Sequence, residues 1–310
     1  MKITGSGSFA PETRVTNLDL SERIDTNDEW IFKNLGIRSR RISSPDCYTS
    51  DLATRAAENA FFSSGIDREA IDLIIVATAT PDRKAPSTAC IVKRNLGIKN
   101  ACPAFDIAAV CSGFMYAMSI AGNMLSSGVY KKALVIGGDT FSKITDWNRR
   151  DCVFFGDGAG AVILEATADE NALLSTLIFS ECSDTDHFTV YPQETFFTMN
   201  GKAVYETATK VLPDTIKAIL DKNNIHIDEV SHVIPHQPSI KILEKTSELT
   251  NIPFHKFHTN MHEYANTSGG TIPILLDEVI KSGKLKKNDI IVFAGVGSGW
   301  TWGAGVLRWL

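Results

Sequence analysis

Residues 105–114, FDIAAVCSGF, carry a short apolar strand pattern straight into a helical one, with Cys111 at the changeover; residues 262–270, HEYANTSGG, place Asn266 at a similar one. Downstream of the two, the spacing is the same. From Cys111 to Gly128 of SSG is 128 − 111 = 17 residues, and from Asn266 to Gly283 of KSG is 283 − 266 = 17. Each copy then passes a Lys-Lys pair (Lys131 and Lys132; Lys286 and Lys287), an apolar strand, ALVIGG or DIIVFAG, and a glycine-rich hairpin, GDGAGAVIL or TWGAGVLRW. The offset 266 − 111 = 155 is half of the 310 residues. The chain reads as one unit written twice, with a thiol and a carboxamide at matching positions that could face one site.

Outward from these stretches, strand-like runs alternate with helical patterns. In the first half LIIVATAT (73–80), CPAFDIAAV (102–110), KKALVIGG (131–138) and GAGAVILEA (158–166) read as strands, with helices near 87–97 and over 112–128. The second half answers with a helix over 204–223, a strand at HVIPH (232–236), helices over 238–249 and 271–283, and strands at 290–295 and 304–309. Such alternation predicts layered α/β structure with mainly parallel sheets. The boundary falls near residue 166, which gives halves 1–165 and 166–310.

With 44% apolar residues the chain can bury a large core. A net charge of −5 without runs of like charge argues against nucleic acid as a partner. The longest apolar stretches are strand-length, far short of a membrane span, and residues 1–14 show no basic segment followed by an apolar core. Six cysteines without a C-x-x-C pair fit reduced thiols in a cytoplasmic protein. Small-molecule chemistry is the remaining default.

Three residues carry that chemistry. A lone Cys in an apolar strand is usually a core residue, but Cys111 sits at a strand-to-helix turn, where a helix N-terminus favours a thiolate and lowers its pKa. His236 ends the strand HVIPH, where open α/β sheets hold ligands. With Asn266 it would meet Cys111 from the other half, giving a nucleophile and two hydrogen-bond donors suited to covalent acyl transfer. GDGAGA (156–161) leads into a strand rather than opening a helix, so it fails the context test for dinucleotide binding. The loop from GGDT to FFGDG carries Trp147, Arg149 and Arg150 and suits an entrance. His255, His258, His262 and Glu263 have metal-like spacing, but nothing else supports a metal, and packed or solvated histidines are expected.

The stretches DEWIFKNLGIRSRRI, CPAFDIAAVCSGFMYA, FFGDGAGAVIL, FTMNGKAVYE, VIPHQPS, NTSGGTIPILLDE and GSGWTWGAGVLRW together resemble the β-ketoacyl-acyl-carrier-protein synthase III family of the thiolase superfamily, over nearly the whole length. The resemblance implies a thiolase-like fold of two duplicated βαβαβαββ-type halves in a layered α-β-α-β-α arrangement, usually a homodimer. It implies a catalytic triad of Cys111, His236 and Asn266, an oxyanion site near Ser298, and no cofactor beyond a CoA thioester as substrate. Acyl-CoA and malonyl-acyl-carrier-protein become the expected partners, in a decarboxylating condensation through an acyl-Cys. By the same resemblance Trp30 and Arg149 would sandwich the CoA adenine, with Ser239 and Lys241 beside the CoA arm.

Some positions depart from the family pattern. Where members usually read HQAN this chain has His236, Gln237, Pro238 and Ser239, and Asn34 and Glu206 stand where basic residues are common. These changes weaken the basic patch that receives an acidic carrier, which admits acyl transfer to a different acceptor as a second reading. A non-catalytic subunit would usually lose the nucleophile, and a degradative thiolase would need a second Cys after Cys182; neither pattern occurs. Ala85 occupies the place where many short-chain members put a Phe that closes the partner's acyl pocket. An aromatic-to-methyl exchange vacates space for a few methylenes, each worth about 0.8 kcal/mol when buried. Among acyl-CoA primers of increasing length, those longer or bulkier than acetyl should react with the higher kcat/KM; a clear preference for acetyl-CoA would remove this expectation.

Overall fold

The computed structural model describes residues 1–191 and 193–310. Its first half opens with β1 (Lys2–Phe9), followed by a small ladder of β2 (Arg14–Thr16) with β3 (Ser39–Arg41) that brackets α1 (Asn17–Ser21) and α2 (Asp28–Leu35). Then come α3 (Thr49–Ser64), β4 (Leu73–Ala77), α4 (Thr88–Asn95), β5 (Ala104–Ile107), α5 (Gly113–Ser126), β6 (Lys132–Thr140) and β7 (Asp157–Glu165). The strands form one sheet in the order β1-β7-β6-β4-β5.

The second half holds β8 (Leu174–Ser180), a two-residue ladder of β9 (Phe188–Thr189) with β10 (Thr198–Met199), α6 (Gly201–Lys222), β11 (Val230–Pro235), α7 (Ile240–Thr250), α8 (Met261–Tyr264), α9 (Thr271–Lys281), β12 (Ile290–Gly297) and β13 (Thr301–Arg308). Its main sheet runs β11-β12-β13-β8. Strand for strand this answers the first, with β8 for β1, β13 for β7, β12 for β6 and β11 for β4. Where the counterpart of β5 is due, one parallel bridge of Phe257 to Val233 stands.

Both sheets are mixed, not mainly parallel. β4 runs parallel to β5 and β6, and β11 to β12, because helices supply the crossovers. The hairpin-like returns β6–β7 and β12–β13, and the strands beyond them in each sheet, are antiparallel.

Side-chain alternation along the strands sets the layers. In β4, Leu73, Ile75 and Ala77 pack towards α5 and α9, while Ile74 and Val76 pack towards α3 and α4. All five are fully buried, as expected for a strand covered on both faces. The outer face of the second sheet is closed by α6 and α7. The resulting order is α-β-α-β-α, with α5 and α9 from the two halves sharing the central layer. None of the helices among the described residues is long and apolar enough to cross a membrane.

Two backbone positions repeat the duplication in conformation. Val110 has φ 45° and Ala265 has φ 56°, each just before the matching Cys111 and Asn266. Neither is a glycine, and a β-branched residue at such an angle is costly.

β1 was invisible in the residue pattern because it is built from small residues that let it lie on the backbone of α3. A Cβ on Gly7 would stand 2.3 Å from the Ala60 nitrogen and 2.4 Å from the Ala56 oxygen. Gly7→Ala should therefore destabilise the protein by about 1–3 kcal/mol, the usual cost of overpacking. A lowered urea midpoint at unchanged m value would report it; an unchanged midpoint would mean that β1 and α3 can move apart freely.

Candidate active site

Cys111 lies in a single 3₁₀ turn, Val110–Ser112, directly ahead of α5. The thiol is buried and donates to Ser268 Oγ at 3.7 Å. Its environment overturns the expectation of a lowered pKa. Burial pushes the thiol up to about 12, the Asp139 carboxylate adds to this, and the contacts with Ser268 and Asn266 oppose it only in part. The helix start is present, but the second half encloses the sulfur, and desolvation of a thiolate outweighs the dipole. The Cys111 side chain rests as a neutral thiol.

His236 follows β11, where its backbone N–H donates to the Ala294 carbonyl at 2.8 Å. Only 2% of the residue is exposed, and burial pushes the imidazole down to about 3, so the ring is neutral. Nδ1 lies 2.7 Å from Thr271 Oγ1. Asn266 is held by the other half: its N–H donates to the Phe154 carbonyl, and its own carbonyl accepts from the Gly156 N–H, both at 3.0 Å. The side-chain Oδ1 accepts from the Ser268 N–H at 2.7 Å. That bond fixes the amide orientation and leaves the NH₂ as the end for a ligand.

Cys111, His236 and Asn266 line one cavity of about 360 Å³. Its inner wall is apolar, with Val110, Phe155, Phe188, Met199 and Val296. Strand β12 passes directly over Cys111. A Cβ on Gly297 would stand 3.0 Å from the Cys111 nitrogen, and one on Gly295 would stand 3.5 Å from the Cys111 oxygen and 3.6 Å from the His236 Cβ.

Residue-level reading missed Asp139, which joins the halves beneath this cavity. Its fully buried carboxylate accepts from the N–H groups of Ala79, Thr80 and Gly269 at 2.7, 3.0 and 2.9 Å and from the hydroxyls of Thr78 and Thr80, both at 2.9 Å. An acid inside the apolar run GGDT was the available signal. Ser268 and Thr271 were missed as well, since nothing local marks them.

The residues expected around CoA divide. Trp30, Lys241, Ser239 and Ser298 all border the cavity. Trp30 is covered by Arg150, whose guanidinium lies 4.5 Å from the ring centroid, and not by Arg149. Arg149 turns inward, pairing with Asp151 and donating to the Phe197 carbonyl at 2.7 Å. Asp151 of its own loop and the Phe197 carbonyl of the second half occupy the Arg149 guanidinium, which leaves Arg150 to cover the tryptophan. Ser239 caps α7, accepting from the Ile242 N–H at 3.4 Å, and Lys241 pairs with Glu244 at 2.8 Å. Ser298 donates its hydroxyl to the Phe188 carbonyl at 2.5 Å. Ala85 lies on an exposed segment away from the cavity lining of the single chain.

Of the HKFHTNMHE residues, His258 is engaged with His232, Nε2 to Nδ1 at 2.9 Å, and Glu263 pairs with Arg41 and Arg14. Among the described residues no three metal-ligating side chains gather.

A buried thiol beside two neutral polar groups, at the join of two like halves, suits acyl transfer through sulfur better than hydrolysis by an activated water. Solved structures with the same fold are thiolase-like condensing enzymes. The 3-oxoacyl-[acyl-carrier-protein] synthase III of Aquifex aeolicus superposes with TM-score 0.96 at 40% identity, covering 99% of each chain. That of Pseudomonas aeruginosa gives 0.94 at 34% identity, covering 99% of this chain and 98% of the other. The Clostridium acetobutylicum β-ketoacyl-[acyl-carrier-protein] synthase III is 42% identical over 323 positions, covering 100% of this chain and 98% of its own length. The family model for 3-oxoacyl-[acyl-carrier-protein (ACP)] synthase III matches residues 105–181, and the model of its C terminal part matches residues 220–309. The chain belongs to the β-ketoacyl-[acyl-carrier-protein] synthase III family, acyl-transferring condensing enzymes of fatty acid synthesis.

The neutral imidazole has a stability consequence. An unfolded chain takes up the His236 proton near the ordinary 6.5, whereas the folded chain resists it down to about 3, so the native state binds fewer protons in that window. Stability should fall as pH drops from about 6.5 towards 3, by up to about 1.4 kcal/mol per pH unit for this group. Denaturant unfolding from about pH 7 to about pH 5 should show a shallower decline in His236→Gln than in the unaltered protein. Equal slopes would mean that the ring already protonates in the native state.

Proposed function

We propose that this chain condenses an acyl-CoA primer with malonyl-acyl-carrier-protein, with loss of carbon dioxide, through an acyl-Cys111 intermediate. The observation that carries the reading is the convergence of the Cys111 thiol, the neutral ring of His236 and the free amide end of Asn266 on one cavity with an apolar inner wall.

In the first half-reaction the Cys111 sulfur adds to the primer thioester carbonyl, and the CoA sulfur leaves carrying the proton that the thiol gave up. The Cys111 N–H and the backbone at Ser298 form the oxyanion site, an assignment supported by the contact of β12 with the Cys111 amide. In the second, the malonyl carboxylate leaves as carbon dioxide, and the electron pair of the broken C–C bond becomes an enolate. Neutral donors on His236 and Asn266 stabilise its oxygen. The enolate carbon then forms a bond to the acyl carbon, and the Cys111 thiolate leaves and regains one proton from solvent. Trp30 and the Arg150 guanidinium against it offer a flat aromatic and cationic surface for the CoA adenine. The assembly is a homodimer, in which Ala85 of each chain leaves the other's acyl pocket open to longer primers.

One observation favours a second reading, transfer of the acyl group to an acceptor other than malonyl-carrier protein. Apart from Arg150 over Trp30, the positive charge lining the mouth is reduced, because Lys241 is paired with Glu244 and Asn34 stands beside Trp30. Incubation with acyl-CoA and malonyl-acyl-carrier-protein, with carbon dioxide and product measured together, separates the two.

Mass spectrometry should show an acyl group on Cys111 and none in Cys111→Ala, which should keep its fold. His236→Ala and Asn266→Ala should still self-acylate but lose at least about 100-fold in decarboxylation, the scale for removing an oxyanion donor. Undiminished decarboxylation in both variants would refute the roles given to these donors.

A further inference from the structure

A neutral imidazole carries hydrogen on only one of its nitrogens, and one side chain governs which nitrogen of His236 it is. Nδ1 lies 2.7 Å from Thr271 Oγ1, which lies 3.0 Å from the Ser268 carbonyl. The hydroxyl has a single hydrogen to give. Given to the carbonyl, it leaves Oγ1 to accept from Nδ1–H, and Nε2 meets the cavity as a bare lone pair. Given to the ring, it makes Nδ1 the acceptor, and Nε2 carries the hydrogen.

Two features favour the ring. The Ser268 carbonyl already accepts the backbone N–H of Thr271, so turning the hydroxyl away orphans no buried oxygen. Moreover, a separation of 2.7 Å is ordinary for an O–H donor, whereas N–H donors to oxygen centre on about 2.9–3.0 Å. The contact to the carbonyl is the longer of the two.

We infer that Thr271 is a positioning residue that donates to Nδ1 of His236 and so presents Nε2–H to the cavity as a hydrogen-bond donor beside the Asn266 amide. Its catalytic consequence rests on the reaction proposed above; the tautomer does not. Burial keeps the ring from acquiring a second hydrogen, so the choice between the nitrogens is exclusive. Two adjacent donors match an enolate oxygen, while a bare Nε2 lone pair would repel it. Residues 266–271 thus set both donors, Asn266 by its own amide and Thr271 through the ring.

The direct test is NMR of protein labelled with ¹⁵N-histidine. Nε2 should be the hydrogen-bearing nitrogen and Nδ1 the acceptor, an assignment that Thr271→Ser keeps and Thr271→Val loses. In activity, Thr271→Val should lose about 10- to 100-fold in malonyl-carrier-protein decarboxylation, the scale for removing the partner that orients a functional imidazole, while Cys111 self-acylation stays within about threefold. Thr271→Ser should restore decarboxylation, which a merely structural role for the threonine methyl would not. Hydrogen on Nδ1 in the unaltered protein, full decarboxylation by Thr271→Val, or equal loss in the Ser and Val variants would overturn the assignment. If the unaltered protein acylates Cys111 yet never consumes malonyl-carrier protein, the proposed reaction fails, and the labelled ring still decides the tautomer.

Discussion

Everything in the site hangs on the seating of one loop, residues 266–271 of the second half, in the strand ends of the first. Asn266 joins Phe155 as a parallel bridge, and Gly269 donates to the buried Asp139 carboxylate. The approach is backbone to backbone. A Cβ on Gly137 would stand 2.1 Å from the Gly269 oxygen, and one on Gly270 would stand 2.7 Å from the Gly158 oxygen. Side chains at these glycines would wedge the halves apart and lift Ser268, Asn266 and Thr271 away from the sulfur and the imidazole. The glycines serve proximity, since none of the four needs a left-handed backbone angle.

This seating explains which features were legible along the chain and which were not. The duplication, the strand-to-helix elbows and the pairing of Cys111 with Asn266 stand at a fixed spacing of 155, so short windows compared with each other reveal them. β1 and α3 fit against each other through Gly5, Gly7, Ala56 and Ala60, and neither shows the large apolar periodicity by which elements are read. Asp139 and Thr271 act across sequence distances that no local window spans. Arg149 and Arg150 are neighbours in one loop, and which of them covers Trp30 depends on where Asp151 and the Phe197 carbonyl fall in space. The Cys111 environment depends on the other half closing over it, so the local elbow pointed to the wrong protonation state.

The electrostatic consequence is a site in which the Cys111 thiol and the His236 ring both rest uncharged. Burial raises the thiol and lowers the imidazole, so the enclosure disfavours a standing thiolate–imidazolium pair on both sides. The nearest buried acid, Asp139, has five donors of its own and is committed to holding the Gly269 turn. In the proposed reaction, proton loss from Cys111 is therefore coupled to the arrival of a thioester whose developing oxyanion the backbone can hold.

In the proposed reaction, a neutral His236 also separates the two half-reactions. An imidazolium would attract the malonyl carboxylate and stabilise the charge that has to be lost, whereas a neutral donor gains strength only as charge moves onto the thioester oxygen. In that reaction the apolar wall of Phe155, Phe188, Met199 and Val296 would act in the same direction, because a carboxylate set against it is poorly solvated and carbon dioxide is not. Asn266 contributes a donor that cannot ionise, and the Thr271 contact makes the ring a second one. If the proposed reaction holds, the loop that locks the halves together also sets the sign of the charge the site stabilises: negative, and on the enolate rather than on the carboxylate that precedes it.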